Sequence, residues 1–354
     1  MGVLRKLASQ SAIYGLSSVV PRLLNYFLVT LHSRVFNEGE YGVITELYAY
    51  VAILMIVLTF GLETGYFRFS GSQDTDPKNA SRVFSSIFYF LGATSLIFFL
   101  LGWIFLSPIA EFLSYSGSEN LLLMLFAILA LDAWSTILFN RLRKEERPKT
   151  FSAIKILSVL VNVGLNLLFL IAFPYWGVYD KHFGVGYVLL SNLIGSAIAW
   201  LGAFIACRGV PIYFRWQTLT PILAFSFPLL LSGFAGTTNE FMDRIFIKWL
   251  SPAPDPMIEL GIYGANAKIA VLLVLLVQMF KFAAEPFFFA QAEEKADPKI
   301  YARVTLYFWY FTLFILIGIL AYLPILQYFI GEDFRSGLSV IPILLVANLL
   351  YGLF

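Results

Sequence analysis

Of 354 residues, 59% are hydrophobic and only 13% are charged; the mean hydropathy is +0.80 and the formal net charge +2. Water-soluble domains carry about 25% charged residues, so these figures exclude a soluble enzyme and predict an all-α polytopic membrane protein. The near-neutral balance, with no basic tail or arginine block, gives no basis for nucleic-acid binding.

The N-terminus "MGVLRKLASQSAIYG" places Arg5 and Lys6 before an apolar run. That run continues past Arg22 for a full span without a small-residue cleavage site, so it predicts a first membrane helix and not a signal peptide. Gly2 lacks the Ser or Thr at position six that a myristoylation signal needs. Apolar runs of about 20 residues predict spans at 9–31, 42–66, 83–106, 120–140, 152–173, 184–207, 219–249, 260–283, 304–326 and 337–354. The tenth is cut by the chain end inside "LLVANLLYGLF", so the sequence reads as a fragment of a longer protein. With the N-terminus cytoplasmic, 16 of the 24 Lys and Arg residues fall on inner loops. Arg34, Lys181, Lys248 and Arg335 fall outside, and Arg22, Lys155, Arg244 and Lys268 lie inside spans. The positive-inside bias supports that orientation.

The stretch "CRGVPIYFRWQT" (207–218) follows six spans and predicts a boundary between an N-terminal lobe, 1–210, and a C-terminal lobe, 211–354. An internal repeat agrees. A shift of about 222 residues sets "EYGVI" (40–44) on "IYGAN" (262–266), and "DPKNASRV" (76–83) falls on "DPKIYARV" (297–304) with a one-residue slip. Parallel repeats of six spans each are a transporter architecture, here with the second lobe truncated.

The same shift superposes Arg22 on Arg244 and Glu46 on Lys268. A charge at mid-bilayer costs about 2.5–3.5 kcal/mol on insertion scales, so these residues call for a polar partner or a wet cavity. In "GFAGTTNEFMDRIFIKWL" the pairs Glu240/Arg244 and Asn239/Asp243 are each four apart and share a helix face. One reading is a structural salt bridge between Glu240 and Arg244; the other is a central cavity lined by both halves, which the recurrence of Arg favours. Asp132 is either a protonatable coupling site or the partner of Lys155 in the next span. Asn162 and Asn166 predict inter-helix hydrogen bonds. Glu63 and Glu285 suggest pairing with Arg68 and Lys281, and Pro21 and Pro228 predict bent spans. The Gly clusters "GLETG" and "GANAKIA" suit close helix packing.

Cys207 is the only cysteine, which excludes an internal disulfide, and His32 and His182 lie far apart, so no metal site is expected. No phosphate loop, nucleophile elbow or HExxH is present. No cofactor is expected, and any driving force would be a gradient of H+, Na+ or substrate.

The segments "GLETGYFRF", "LDAWSTILFNRLRKEERP", "PLLLSGFAGTTNEFMDRIFIKWLSP", "GIYGANAKIAVLLVLLVQMFKFAAEPFFFAQAEEKADPK" and "SGLSVIPILLVANLLYG" resemble the polysaccharide transporter branch of the multidrug/oligosaccharidyl-lipid/polysaccharide exporter superfamily. The resemblance implies two six-helix lobes around a central cavity in the bacterial inner membrane. It implies flipping of undecaprenyl-diphosphate-linked oligosaccharide by alternating access, for surface polysaccharides such as O-antigen, beside polymerases and glycosyltransferases. It implies that Arg22 and Arg244, with Lys268, grip the diphosphate. Glu46, Asp132, Lys155, Asn239, Glu240 and Asp243 would line or reset the cavity. A cation-exporting multidrug transporter of the same superfamily and a membrane-embedded glycosyltransferase or polymerase stand as alternatives; the short outer loops speak against the last.

Overall fold

The computed structural model describes residues 24–71, 77–209, 213–293 and 298–352, and among them there are helices and no strand. Helix α1 (24–35) leads into α2 (Glu38–Thr59), α3 (Leu62–Phe69), α4 (Pro77–Ile104), α5 (Leu106–Phe112), α6 (Glu119–Lys144) and α7 (Pro148–Leu167). They are followed by α8 (Phe173–Trp176), α9 (Gly186–Ala206), α10 (Trp216–Leu250), α11 (Pro256–Glu293), α12 (Pro298–Ala321), α13 (Leu323–Leu326) and α14 (Val340–Tyr351). Eight segments are long and apolar enough to cross a membrane: Glu38–Phe69, Asn79–Ile104, Glu119–Lys144, Pro148–Trp176, Gly186–Ala206, Trp216–Leu250, Pro256–Gln278 and Ala302–Ala321. They match the second to ninth predicted spans. The tenth, 337–354, holds a shorter apolar helix, Val340–Leu350; most of the first, 9–31, lies outside the described residues. Lys248, expected in an outer loop, is inside α10.

Local sequence explains where the helices start and break. Asn37 and Glu40 form a reciprocal capping box, with Glu40 N–H donating to Asn37 Oδ1 (2.9 Å) and Asn37 N–H to Glu40 Oε2 (3.1 Å). Asp255 accepts from the Met257 N–H (3.0 Å) ahead of Pro256, an acidic cap followed by proline at the first helical position. The second span breaks at Phe60 and Gly61, both with positive φ (53° and 64°). Between α7 and α8, residues Leu168–Ala172 form a π-helical turn ahead of Pro174. A proline ring has no N–H to continue the α ladder, and the wider turn absorbs the mismatch.

The chain forms two compact units. Unit 1 is 1–25 with 46–249, and unit 2 is 26–45 with 250–354. These units follow packing, whereas the 210/211 lobe boundary is a statement about the sequence repeat.

In unit 1, α6 is the most buried span and packs against α4 and α9. Its core joins Phe84, Ile87, Leu91, Ile137, Leu138 and Ala203. Inside a bilayer, apolar side chains gain little by leaving lipid for protein, so close approach and van der Waals fit hold helices together. Gly92 shows this: an added Cβ would meet the Trp134 ring at 2.8 Å. Gly61 and Gly65 of "GLETG" seat α3 on α10, where a Cβ at Gly61 would stand 2.9 Å from Ser226 O and 3.1 Å from Leu230 N. At the other end, Arg147 donates to Ala206 O (2.8 Å), satisfying a terminal carbonyl of α9.

In unit 2, α11 packs against α12, α14 and the 3₁₀ turn Asp333–Gly337. Asn266, fully buried, donates to Phe334 O (2.8 Å). The N-terminal turns of α2 and α11 touch backbone to backbone at Gly42 and Gly261. Gly331 N–H donates to Ser33 Oγ (3.0 Å), and Arg34 donates to Tyr328 O (2.9 Å).

Candidate functional site

Among the described residues, polar groups inside apolar spans gather at three places in unit 1, and Lys268 lies in a span of unit 2. The first lies on α10. Asn239 and Glu240 are exposed, and Asp243 and Arg244 are half-buried. The Arg244 guanidinium binds Asp243 Oδ1 (2.9 Å) and the Glu240 backbone carbonyl (2.7 Å), and it lies 4.9 Å from the Phe241 ring centroid. Asp243 Oδ1 also accepts from the Arg244 N–H (2.8 Å). The carboxylate paired with Arg244 is Asp243, whereas the salt-bridge reading, one of the two weighed for this stripe, named Glu240. Side chains on a helix lean toward its N-terminus, which brings the guanidinium onto the preceding turn's carbonyl.

The second place joins four helices. Asp132 on α6 lies beside Ser196 on α9, with Lys155 on α7 near it. The ammonium of Lys155 itself lies 4.1 Å from the Phe139 ring centroid. One turn from Ser196, Asn192 donates to Tyr48 Oη on α2 (2.9 Å). Asn166 donates to Asn162 Oδ1 within α7 (3.0 Å). Gly195 explains the geometry: a Cβ there would meet Ser158 O at 3.1 Å, so α9 lies against this face of α7.

The third place holds Glu46, expected to line the cavity but buried in an ion pair, and Lys248, which the sequence did not single out as a site residue. Glu46 of α2 is fully buried. Lys248, with 10% of its side chain exposed, binds Glu46 Oε1 (2.7 Å) and Leu113 O (2.6 Å). Tyr115 donates to Glu46 Oε2 (2.7 Å), and Tyr50 lies beside Glu46 as well. Burial first, then the Glu46 carboxylate, hold the Tyr115 phenol well above its ordinary value, so it stays a donor. A signal for Lys248 existed: 240, 244 and 248 are spaced four apart on one face of α10.

In unit 2, Lys268 on α11 is exposed, while Ala265, Asn266, Ala267, Ile269 and Ala270 around it are buried. Arg22 lies outside the described residues. Glu63 pairs with Arg143 and not with Arg68, whose guanidinium lies 4.3 Å from the Phe225 ring centroid. The side chains of Lys281 and Glu285 lie outside the described residues. No group of three or more His, Cys, Asp or Glu that could hold a metal ion occurs among the described residues.

Residues 7–291 match the family described as polysaccharide biosynthesis protein. No curated protein matches the sequence. Among solved structures, the chain is similar to an inward-facing multidrug resistance MATE family transporter of the MOP superfamily, at 14% identity and a TM-score of 0.70. That alignment covers 97% of this chain and 78% of the other. It is also similar to a MATE structure in the straight conformation, at 15% identity, TM-score 0.58, covering 98% and 82%. A third, MATE in complex with Br-NRF, aligns at 17% identity, TM-score 0.54, covering 97% and 85%. The family match spans most of the sequence and the fold matches span nearly all of it. The chain thus belongs to the polysaccharide biosynthesis protein family and is a multi-pass membrane protein that shares the fold of these MATE transporters.

Proposed function

We propose that this MOP-superfamily exporter flips a polyprenyl-diphosphate-linked oligosaccharide across the bacterial inner membrane by alternating access, with its N-terminus cytoplasmic. The observation that carries the reading is Lys268, exposed in the middle of a span whose neighbouring residues are buried. A charge inside an apolar span faces polar space in preference to lipid. Arg244, another cation inside a span, also keeps an exposed polar face around it at Asn239 and Glu240. A diphosphate is a dense anion suited to guanidinium forks and ammonium groups. In this reading Arg22, Arg244 and Lys268 grip the diphosphate while the lipid tail stays in the bilayer. Asp132, Glu240 and Asp243 exchange H+ or Na+ to reset the cavity between lobes 1–210 and 211–354. Polymerases and glycosyltransferases supply and consume the substrate.

The test is native mass spectrometry of the purified protein offered a polyprenyl-diphosphate oligosaccharide and, separately, a lipophilic cation. The reading expects selective retention of the diphosphate lipid, lost in an Arg22→Ala/Arg244→Ala variant. Preference for the cation would move the protein to multidrug export, which the likeness to MATE structures keeps as the second reading.

A further inference from the structure

We infer that the buried Glu46–Lys248 ion pair is a mechanical pin that holds two of the chain's three unit crossings together. Glu46 and Lys248 are then positioning residues for the conformational cycle and touch no substrate. The inference rests on the transport reading only for its consequence, and its physical content stands on the following geometry.

The chain passes between the compact units at Asn25/Tyr26, Thr45/Glu46 and Trp249/Leu250. Glu46 is the first residue after the second crossing, and Lys248 is one residue before Trp249 at the third. These residues are 202 apart in sequence, yet their side chains meet at 2.7 Å inside unit 1. Any movement of one unit against the other must be absorbed near these crossings, and the ion pair fixes two of them to a common point.

The network around the pair is closed. Lys248 gives one hydrogen bond to Glu46 Oε1 and one to Leu113 O, and its ammonium lies 5.0 Å and 5.4 Å from the ring centroids of Tyr115 and Trp249. The second Glu46 oxygen accepts from Tyr115. Three separate stretches of chain therefore converge: α2, the turn after α5, and the end of α10.

Such a pair is a poor way to gain stability. Well-packed apolar residues of similar volume often do as well or better, because both charges must be stripped of solvent. Breaking one partner alone, in contrast, leaves an uncompensated buried charge and is strongly unfavourable. The pair is thus rigid in register: apolar surfaces can slide along one another, and this contact cannot.

The experiment replaces both charges at once, Glu46→Leu/Lys248→Met, in the full chain with Cys207→Ala. Spin labels go on Cys introduced at Tyr175 of unit 1 and Tyr322 of unit 2, which are 88% and 63% exposed. Pulsed electron–electron distance measurement in lipid nanodiscs, without substrate, reads the distribution. The pin predicts a folded protein of equal or higher melting temperature with a clearly broadened or displaced distribution. A matched control, Glu63→Gln/Arg143→Gln, removes an acid–base pair of unit 1 that has no role in the transport reading and should leave the distribution unchanged. If the first double variant does not fold, Tyr115→Phe removes one hydrogen bond and should broaden the distribution to a smaller degree. A distribution superimposable on the parent's, or the same broadening in the control, overturns the pin. Neither outcome depends on substrate binding, so the pin and the transport reading fail separately.

Discussion

The crossing of α2 and α11 offers a substitution whose sign is set by backbone contact. A Cβ added at Gly261 would stand 2.8 Å from the Glu38 carbonyl carbon and 3.0 Å from the Gly42 nitrogen, and closer still to the Glu38 oxygen. Ordinary contact begins at 3.4 Å, so the two helices must part by at least 0.6 Å at that carbon. No side chain can turn aside, because every nearest atom is backbone. Replacing glycine by alanine inside a helix is worth roughly 0.5–1 kcal/mol in favour of folding. Overpacking costs about 1–3 kcal/mol, and a clash with rigid backbone belongs at the upper end. The net expectation for Gly261→Ala is therefore a loss of about 2 kcal/mol. Gly318, in the interior of α12, has nothing within 4 Å of an added Cβ, and Gly318→Ala should stabilise by roughly 0.5–1 kcal/mol. Denaturant unfolding of both variants in mild detergent, followed by tryptophan fluorescence, reads the two signs. Gly261→Ala as stable as the parent would refute the close-crossing argument.

Three further outcomes follow from the same geometry. Tyr115→Phe deletes a hydrogen bond to a buried carboxylate and should cost about 1.5–3 kcal/mol in the same unfolding assay; no change would mean that Glu46 finds another donor. Glu63→Gln acts on a pair whose side chains are about half exposed, so it should shift stability by no more than about 1 kcal/mol, and a larger loss would contradict a solvated pair. Burial pushes the Cys207 thiol up to about 11. The reactive thiolate is then scarce below that pH, so maleimide labelling of the folded protein should be negligible at pH 7 and rise as pH approaches 11. Rapid labelling at pH 7 without denaturant would contradict the buried thiol.

Much of the architecture was legible in the one-dimensional pattern. Apolar runs located eight spans because a bilayer demands about 20 residues with their backbone bonds satisfied internally. The glycines of "GLETG" and "GANAKIA" announced close packing, and at Gly61, Gly65 and Gly264 an added Cβ meets neighbouring helices. The polar stripe of α10 was visible from four-residue spacing. Its partners were not: Arg244 turned to Asp243 beside it, and Glu63 to Arg143, 80 residues away. Spacing tells which residues share a helix face, and the choice among neighbours on that face depends on side-chain direction and local carbonyls.

The sequence by itself determined the membrane class, the order of helices and which residues carry charge into the apolar spans, since each of these follows from the cost of polar groups in lipid. The tertiary structure alone decided which charges meet. Glu46 and Lys248 had no sequence relation, and an end-of-span lysine reads as a loop anchor until α10 is seen to carry it against α2. Long-range pairing is set by how helices pack, and that depends on the whole set of contacts at once.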